Sequence, residues 1–144
     1  MKVLFVCTGN FYRSRLAEEL LRGYAEQRGV EIVSDSAGLG PIPNPINIGA
    51  IRFEVIEYLK NLGVNPSGTK RFPKKCHAAD LESSDIVVGM NEIEHRHLLE
   101  QQFADIVKDH VRYWHVPDME EDPDLMGPGM MVRNVKDLFR EISG

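Results

Sequence analysis

From Cys7 to Ser14 the chain reads CTGNFYRS, a nucleophile, a turn and a cation within one short span. Gly9 and Asn10 are the residue types that most readily take left-handed backbone angles. A loop curling around them turns successive N–H groups inward, an anion-binding nest drawn from Thr8, Gly9, Asn10, Phe11, Tyr12, Arg13 and Ser14. A helix opening near Arg13 adds the partial positive charge of its N-terminus. The Arg13 guanidinium is a planar fork that grips two oxygens of a phosphate. Cys7 lies at the base of the loop, where donors and a cation favour the thiolate, the form that attacks phosphorus. Ser14 can donate a hydrogen bond to that sulfur. A cysteine after a strand is more often a small hydrophobe. Gly at +2, Asn at +3, Arg at +6 and Ser at +7, between a strand and a helix, point instead to phosphate chemistry.

The elements that must hold this loop are legible in the hydrophobic pattern. Residues 2–6, KVLFV, read as a fully buried strand. Leu16, Ala17, Leu20, Leu21 and Tyr24 recur at helical spacing from Ser14 onward, and Gly29 closes the segment. Glu31 to Gly38 reads as a second strand, followed by the Pro-rich loop GPIPNP. Ile48, Ile51, Val55, Ile56 and Leu59 predict a helix ending near Gly63. Residues 70–84 read as loop with one short helix. Asp85 to Met90 is a third strand, residues 91–103 a helix capped by Asn91, and Val111 to Val116 a fourth strand. Gly127, Pro128 and Gly129 read as loop before a last helix from Met130 to Ile142. The alternation predicts an α/β fold: a single doubly wound domain over residues 1–144, with a four-stranded parallel sheet and helices on both faces, for which the flavodoxin-like order 2-1-3-4 is the expectation. Ligands of such sheets sit beyond the carboxyl ends of the strands. Cys7 just past the first strand and Asp118 two residues past the fourth should therefore share one edge.

Hydrophobic content of 42% and charged content of 27% fit a globular domain without a membrane span, and the opening MKVLFVC reads as a first strand and not a signal peptide. A net charge of −5 argues against a nucleic-acid partner. Asp118, Glu120, Glu121, Asp122 and Asp124 match that net charge in number, so it is concentrated in one loop. Such an acidic rim should disfavour acidic phosphopeptides. Cys7 and Cys76 suit a reducing cytoplasm better than a disulfide, and a monomer is expected. No metal is expected: His95 and His97 are two apart on a helix and point to different faces, while His77, His110 and His115 have no obvious partner. Lys70, Arg71, Lys74 and Lys75 read as a solvated basic loop, Cys76 as an idle thiol and Trp114 as core.

The loop CTGNFYRS resembles that of the low-molecular-weight protein tyrosine phosphatase family, whose usual form is Cys-x-Gly-Asn-x-Cys-Arg-Ser-Pro. SDSAG at 34–38 and DIVVGM at 85–90 are similar to its second and third strands, and the likeness covers essentially the whole chain. The resemblance implies an enzyme without cofactor that hydrolyses phosphotyrosine proteins or small aryl phosphates through a cysteinyl-phosphate. It also implies that Ser36 supports Asn10 and that an aspartate after the fourth strand is the general acid. Asp118 is favoured for that role, because a residue near a strand end is firmly held; Asp122, standing before Pro123, is the alternative. Three positions depart from the pattern. Tyr12 replaces the second loop cysteine, which leaves Cys7 without that neighbour's protection against over-oxidation. Arg15 replaces a proline, at little expected cost. Phe11 replaces an aliphatic residue and could wall a phenyl ring. Rival readings are a thiol-dependent arsenate reductase, a phosphoarginine phosphatase and a phosphate-binding module without catalysis.

Overall fold

The computed structural model describes residues 1–106 and 111–144, so His110 lies outside the described residues. Strands β1 (Lys2–Cys7), β2 (Val33–Gly38), β3 (Ile86–Gly89) and β4 (Val111–Tyr113) form one parallel sheet in the order β2-β1-β3-β4, as expected. β1 is flanked by strands on both edges and covered on both faces, which is why its residues after Lys2 carry no charge. Side chains alternate between the faces. Val3, Phe5 and Cys7 enter a core shared with α1 (Arg13–Arg28), α2 (Phe53–Asn61) and α5 (Gly127–Ser143). Leu4 and Val6 enter a second core with Leu81 of α3 (Ala78–Glu82) and Leu99 of α4 (Glu92–Phe103). Among the described residues no helix is long and apolar enough to cross a membrane.

Three boundaries differ from the sequence expectation. α2 begins at Phe53, not near Ile48, which is 87% exposed. Pro41, Pro43 and Pro45 remove N–H donors from the preceding stretch, and it stays irregular. β4 spans three residues, although Trp114 N and Val116 N still donate to Gly89 O and Met90 O, each at 2.9 Å, beyond its end. α5 begins at Gly127, so Gly127, Pro128 and Gly129 are helix and not loop. Pro128 suits a first turn because its missing N–H needs no partner there. The Asp122 carboxylate accepts from Met126 N at 2.9 Å and Gly127 N at 2.7 Å, satisfying amides that the helix itself cannot.

Candidate active site

The register of β1 brings Cys7 beside Gly38 at the carboxyl end of the sheet, and the chain then turns through residues 8–12 into α1. Asn10 holds the turn with a left-handed φ of 50°. The loop is backed by the segment after β2: Leu39 N donates to Cys7 O and Gly40 N to Thr8 O, each at 2.9 Å. Gly38 permits this close approach, since a Cβ there would stand 2.9 Å from Thr8 O. Among the described residues, the amides of Gly9, Asn10, Phe11 and Tyr12 donate to no protein carbonyl. Cys7, Thr8, Gly9, Phe11 and Arg13 line one cavity of about 380 Å³.

A buried network fixes the floor. Asn10 Nδ2 donates to Ser14 Oγ at 2.8 Å and to Ser36 Oγ at 2.9 Å. Its Oδ1 accepts from Arg71 Nη1 at 3.1 Å and Lys74 N at 3.0 Å. The amide is fully used, which holds the loop at its strained residue. Ser14 Oγ lies 3.0 Å from Cys7 Sγ. Because it already accepts from Asn10, its own hydrogen is free to donate to the sulfur. Behind it, the buried Glu18 carboxylate accepts from Ser36 and Arg71 and pairs with Arg22. Ser36 thus touches Asn10, and Arg71 is part of this network and not a solvated charge. Lys74 and Lys75 are likewise engaged, with Asp35 and with the carbonyls of Leu39 and Gly40.

Arg13 is buried and tied at both terminal nitrogens. Nη1 donates to Val116 O at 3.1 Å, and Nη2 donates to Glu94 Oε2 at 2.6 Å. Glu94 Oε2 also accepts from Thr8 Oγ1 at 2.6 Å and stands 2.7 Å from His95 Nε2. The His95 ring is fully buried, and its Nδ1 accepts from Asn91 N at 3.0 Å, so the ring hydrogen belongs on Nε2, which lies 3.2 Å from Thr8 Oγ1 and 2.7 Å from Glu94 Oε2. Burial keeps His95 below the ordinary imidazole value and hence neutral, an effect that Glu94 partly opposes. The His95 hydrogen bond, followed by those from Arg13 and Thr8, holds Glu94 far below the usual carboxylate range against the opposing effect of burial. The sequence does not mark Glu94 or His95 as site residues, because α4 carries charges on several sides and no spacing distinguishes these two.

The two candidate acids occupy different environments. Asp118 is half-buried with its side chain 42% exposed, lines the cavity with Cys7, and places Oδ2 3.9 Å from Arg13 Nη2. Asp122 is 5% exposed and is spent on the first amides of α5. Across the cavity mouth, Arg52 Nη1 pairs with Glu120 Oε1 at 3.2 Å, so the acidic rim is partly neutralised. Phe11 and Tyr12 form part of the wall. Burial, then Asp122, pushes the Tyr12 phenol up.

Arg15 is the largest departure from expectation. It is 1% exposed, and its terminal nitrogens donate to Ala50 O and Gly68 O, each at 2.8 Å. It therefore ties two loops to α1 beneath the cavity wall, a role no proline could fill. Burial lowers Arg15 to about 10, still charged at neutral pH. Cys76 is buried in the second core, where burial pushes its thiol up to about 12.

The chain is 31% identical over 106 residues to a protein-arginine-phosphatase of Bacillus subtilis, covering 72% of this chain and 64% of the relative. It is 35% identical over 95 residues to the low molecular weight protein-tyrosine-phosphatase YfkJ of the same organism, covering 63% of this chain and 56% of the relative. These matches thus span less than two thirds of either relative's own length. The crystal structure of YfkJ superposes with a TM-score of 0.84 at 25% identity, covering 99% of this chain and 94% of that one. A thioredoxin-dependent arsenate reductase of Corynebacterium glutamicum superposes with a TM-score of 0.66 at 26% identity, covering 99% of this chain and 60% of that one. A family profile described as low molecular weight phosphotyrosine protein phosphatase matches residues 2–143. The cysteine-to-arginine cradle at the edge of a 2-1-3-4 sheet and this full-length match agree: the chain belongs to the low molecular weight phosphotyrosine protein phosphatase family.

Proposed function

We propose that this chain is a protein tyrosine phosphatase that hydrolyses aryl phosphate monoesters through a cysteinyl-phosphate. The loop amides and Arg13 receive the phosphate. Cys7 Sγ attacks phosphorus, an S–P bond forms, and the P–O bond to the tyrosine breaks in line. Asp118 gives its proton to the departing phenolate oxygen. Water then attacks phosphorus, Asp118 takes its proton, and the S–P bond breaks to return the thiolate, stabilised by Ser14, and inorganic phosphate. The observation that carries this reading is the 3.0 Å contact between Cys7 Sγ and the buried Ser14 hydroxyl, with Cys7 opening on a cavity that Arg13 and Asp118 also line. Two free cysteines suit the cytoplasm, where a monomeric enzyme is proposed to act on phosphotyrosine proteins. The test is hydrolysis of p-nitrophenyl phosphate in the presence of a chelator, with iodoacetate as blocker. Cys7→Ser should abolish turnover while inorganic phosphate still binds; substantial activity in that variant refutes the covalent step.

A second reading has one observation in its favour. Glu94, Asp118 and Glu120 gather carboxylates around Arg13 and the cavity mouth, an environment that suits a cationic leaving group such as a phosphorylated guanidinium. Phe11 in the wall favours a phenyl ring. Parallel assays on phosphotyrosine and phosphoarginine peptides decide between them.

A further inference from the structure

We propose that Glu94 is a positioning residue for the phosphate-gripping arginine and that its charge sets how tightly the cradle keeps the released phosphate; this rests on the phosphatase reading above. Oε2 of Glu94 gathers Arg13 Nη2 at 2.6 Å, Thr8 Oγ1 at 2.6 Å and His95 Nε2 at 2.7 Å. Arg13 and Thr8 both donate to that oxygen and His95 Nε2 stands beside it, an arrangement that joins the first residue of the loop, its cation and α4. A guanidinium has five N–H donors. Val116 O takes one from Nη1 and Glu94 takes one from Nη2. Nε and the second hydrogen on each terminal nitrogen remain for an anion. With both terminal nitrogens anchored, the plane of the fork is set before substrate arrives, so little ordering is left for the binding step.

The carboxylate also has an electrostatic consequence. Arg13 lines the cavity with Cys7, and Arg15 lies buried two residues further along α1. Opposing them are Glu94 from α4 and Asp118 from the loop after β4, while His95 is neutral. Glu94 is 33% exposed and ionised, so it removes about one unit of positive charge from the site that must release a phosphate dianion at each turnover. A cradle without it would hold that product longer.

Carboxamide and alanine variants separate the two effects. Glu94→Ala removes the anchor and should lower kcat on p-nitrophenyl phosphate about tenfold or more. Glu94→Gln keeps an acceptor oxygen for Arg13 without the charge. It should lose only about two- to threefold in kcat while inorganic phosphate inhibits about fivefold more tightly than in the parent. An unchanged phosphate inhibition constant in Glu94→Gln, or wild-type kcat and KM in Glu94→Ala, overturns the proposal. If the alanine variant does not fold, the glutamine variant alone carries the test. If the parent binds phosphate by calorimetry yet does not hydrolyse the ester, the phosphatase reading fails, and phosphate affinity of the glutamine variant still tests Glu94.

Discussion

Asp118 and Asp122 are four residues apart in one acidic loop, and their substitution should produce opposite phenotypes. Asp122 is buried and accepts two backbone N–H groups at the start of α5. Asp122→Ala strands both amides and removes a favourable charge from the helix N-terminus. Caps are worth about 0.5–2 kcal/mol, and a buried unsatisfied donor costs about 1–3 kcal/mol. Allowing for partial access of water, the loss is about 2–4 kcal/mol, or about 6–12 °C in Tm for a domain of this size. Asp122→Asn retains one acceptor and should lose about half of that. The Asp118 side chain is 42% exposed, and its bond to its neighbour's amide, Met119 N at 2.9 Å, is open to an asparagine oxygen. Asp118→Asn should leave Tm within about 1–2 °C while kcat falls about 10²–10⁴-fold, the usual range for a lost general acid. The assay is p-nitrophenyl phosphate hydrolysis at 25 °C beside thermal unfolding of the same preparations. A hundredfold loss of kcat in Asp122→Asn with Tm unchanged, or full activity in Asp118→Asn, refutes the assignment.

Three other outcomes are expected. Arg15→Pro restores the residue usual in the family and should still lower Tm by about 3–9 °C, because two loop carbonyls lose their donors; an unchanged Tm rules that role out. His95 titrates below its unfolded value of 6.5, so the unfolded chain binds more protons below that pH. The urea midpoint should be flat, as far as His95 is concerned, above pH 6.5 and fall as the pH drops below it, and His95→Gln should flatten that fall; a midpoint rising from pH 7 to pH 5 contradicts the assignment. Cys7 and Cys76 lie in separate cores, so peroxide should inactivate the enzyme without an internal disulfide. Recovery should then be first order in added thiol, and recovery at equal rate without thiol counts against this.

The alternation of strands and helices, the cradle and its cation are legible in the sequence because they depend on local pattern: an apolar run, a Gly-Asn turn and a helix start within a few residues. The place of Asp118 follows once parallel strands are known to end at one edge, and Ser36 follows from the resemblance of SDSAG to the family's second strand. Glu94, Arg71 and Arg15 do not. Each is a charged residue whose pattern is that of a solvated face, and only packing reveals that it is spent on a buried partner. The same limit explains the start of α5. A Gly-Pro-Gly run reads as loop until Asp122 is seen accepting from Met126 N and Gly127 N.

The proposed nucleophile Cys7 and its cation Arg13 come from one contiguous span, residues 7–14, whereas Glu94, Arg71 and Asp118 reach it from separate parts of the chain. Reactivity and its adjustment are therefore inherited on different segments. Substitutions in the later segments can shift leaving-group preference or turnover while the attacking sulfur stays in place, so lineages sharing this cradle are free to diversify their targets without passing through an inert intermediate.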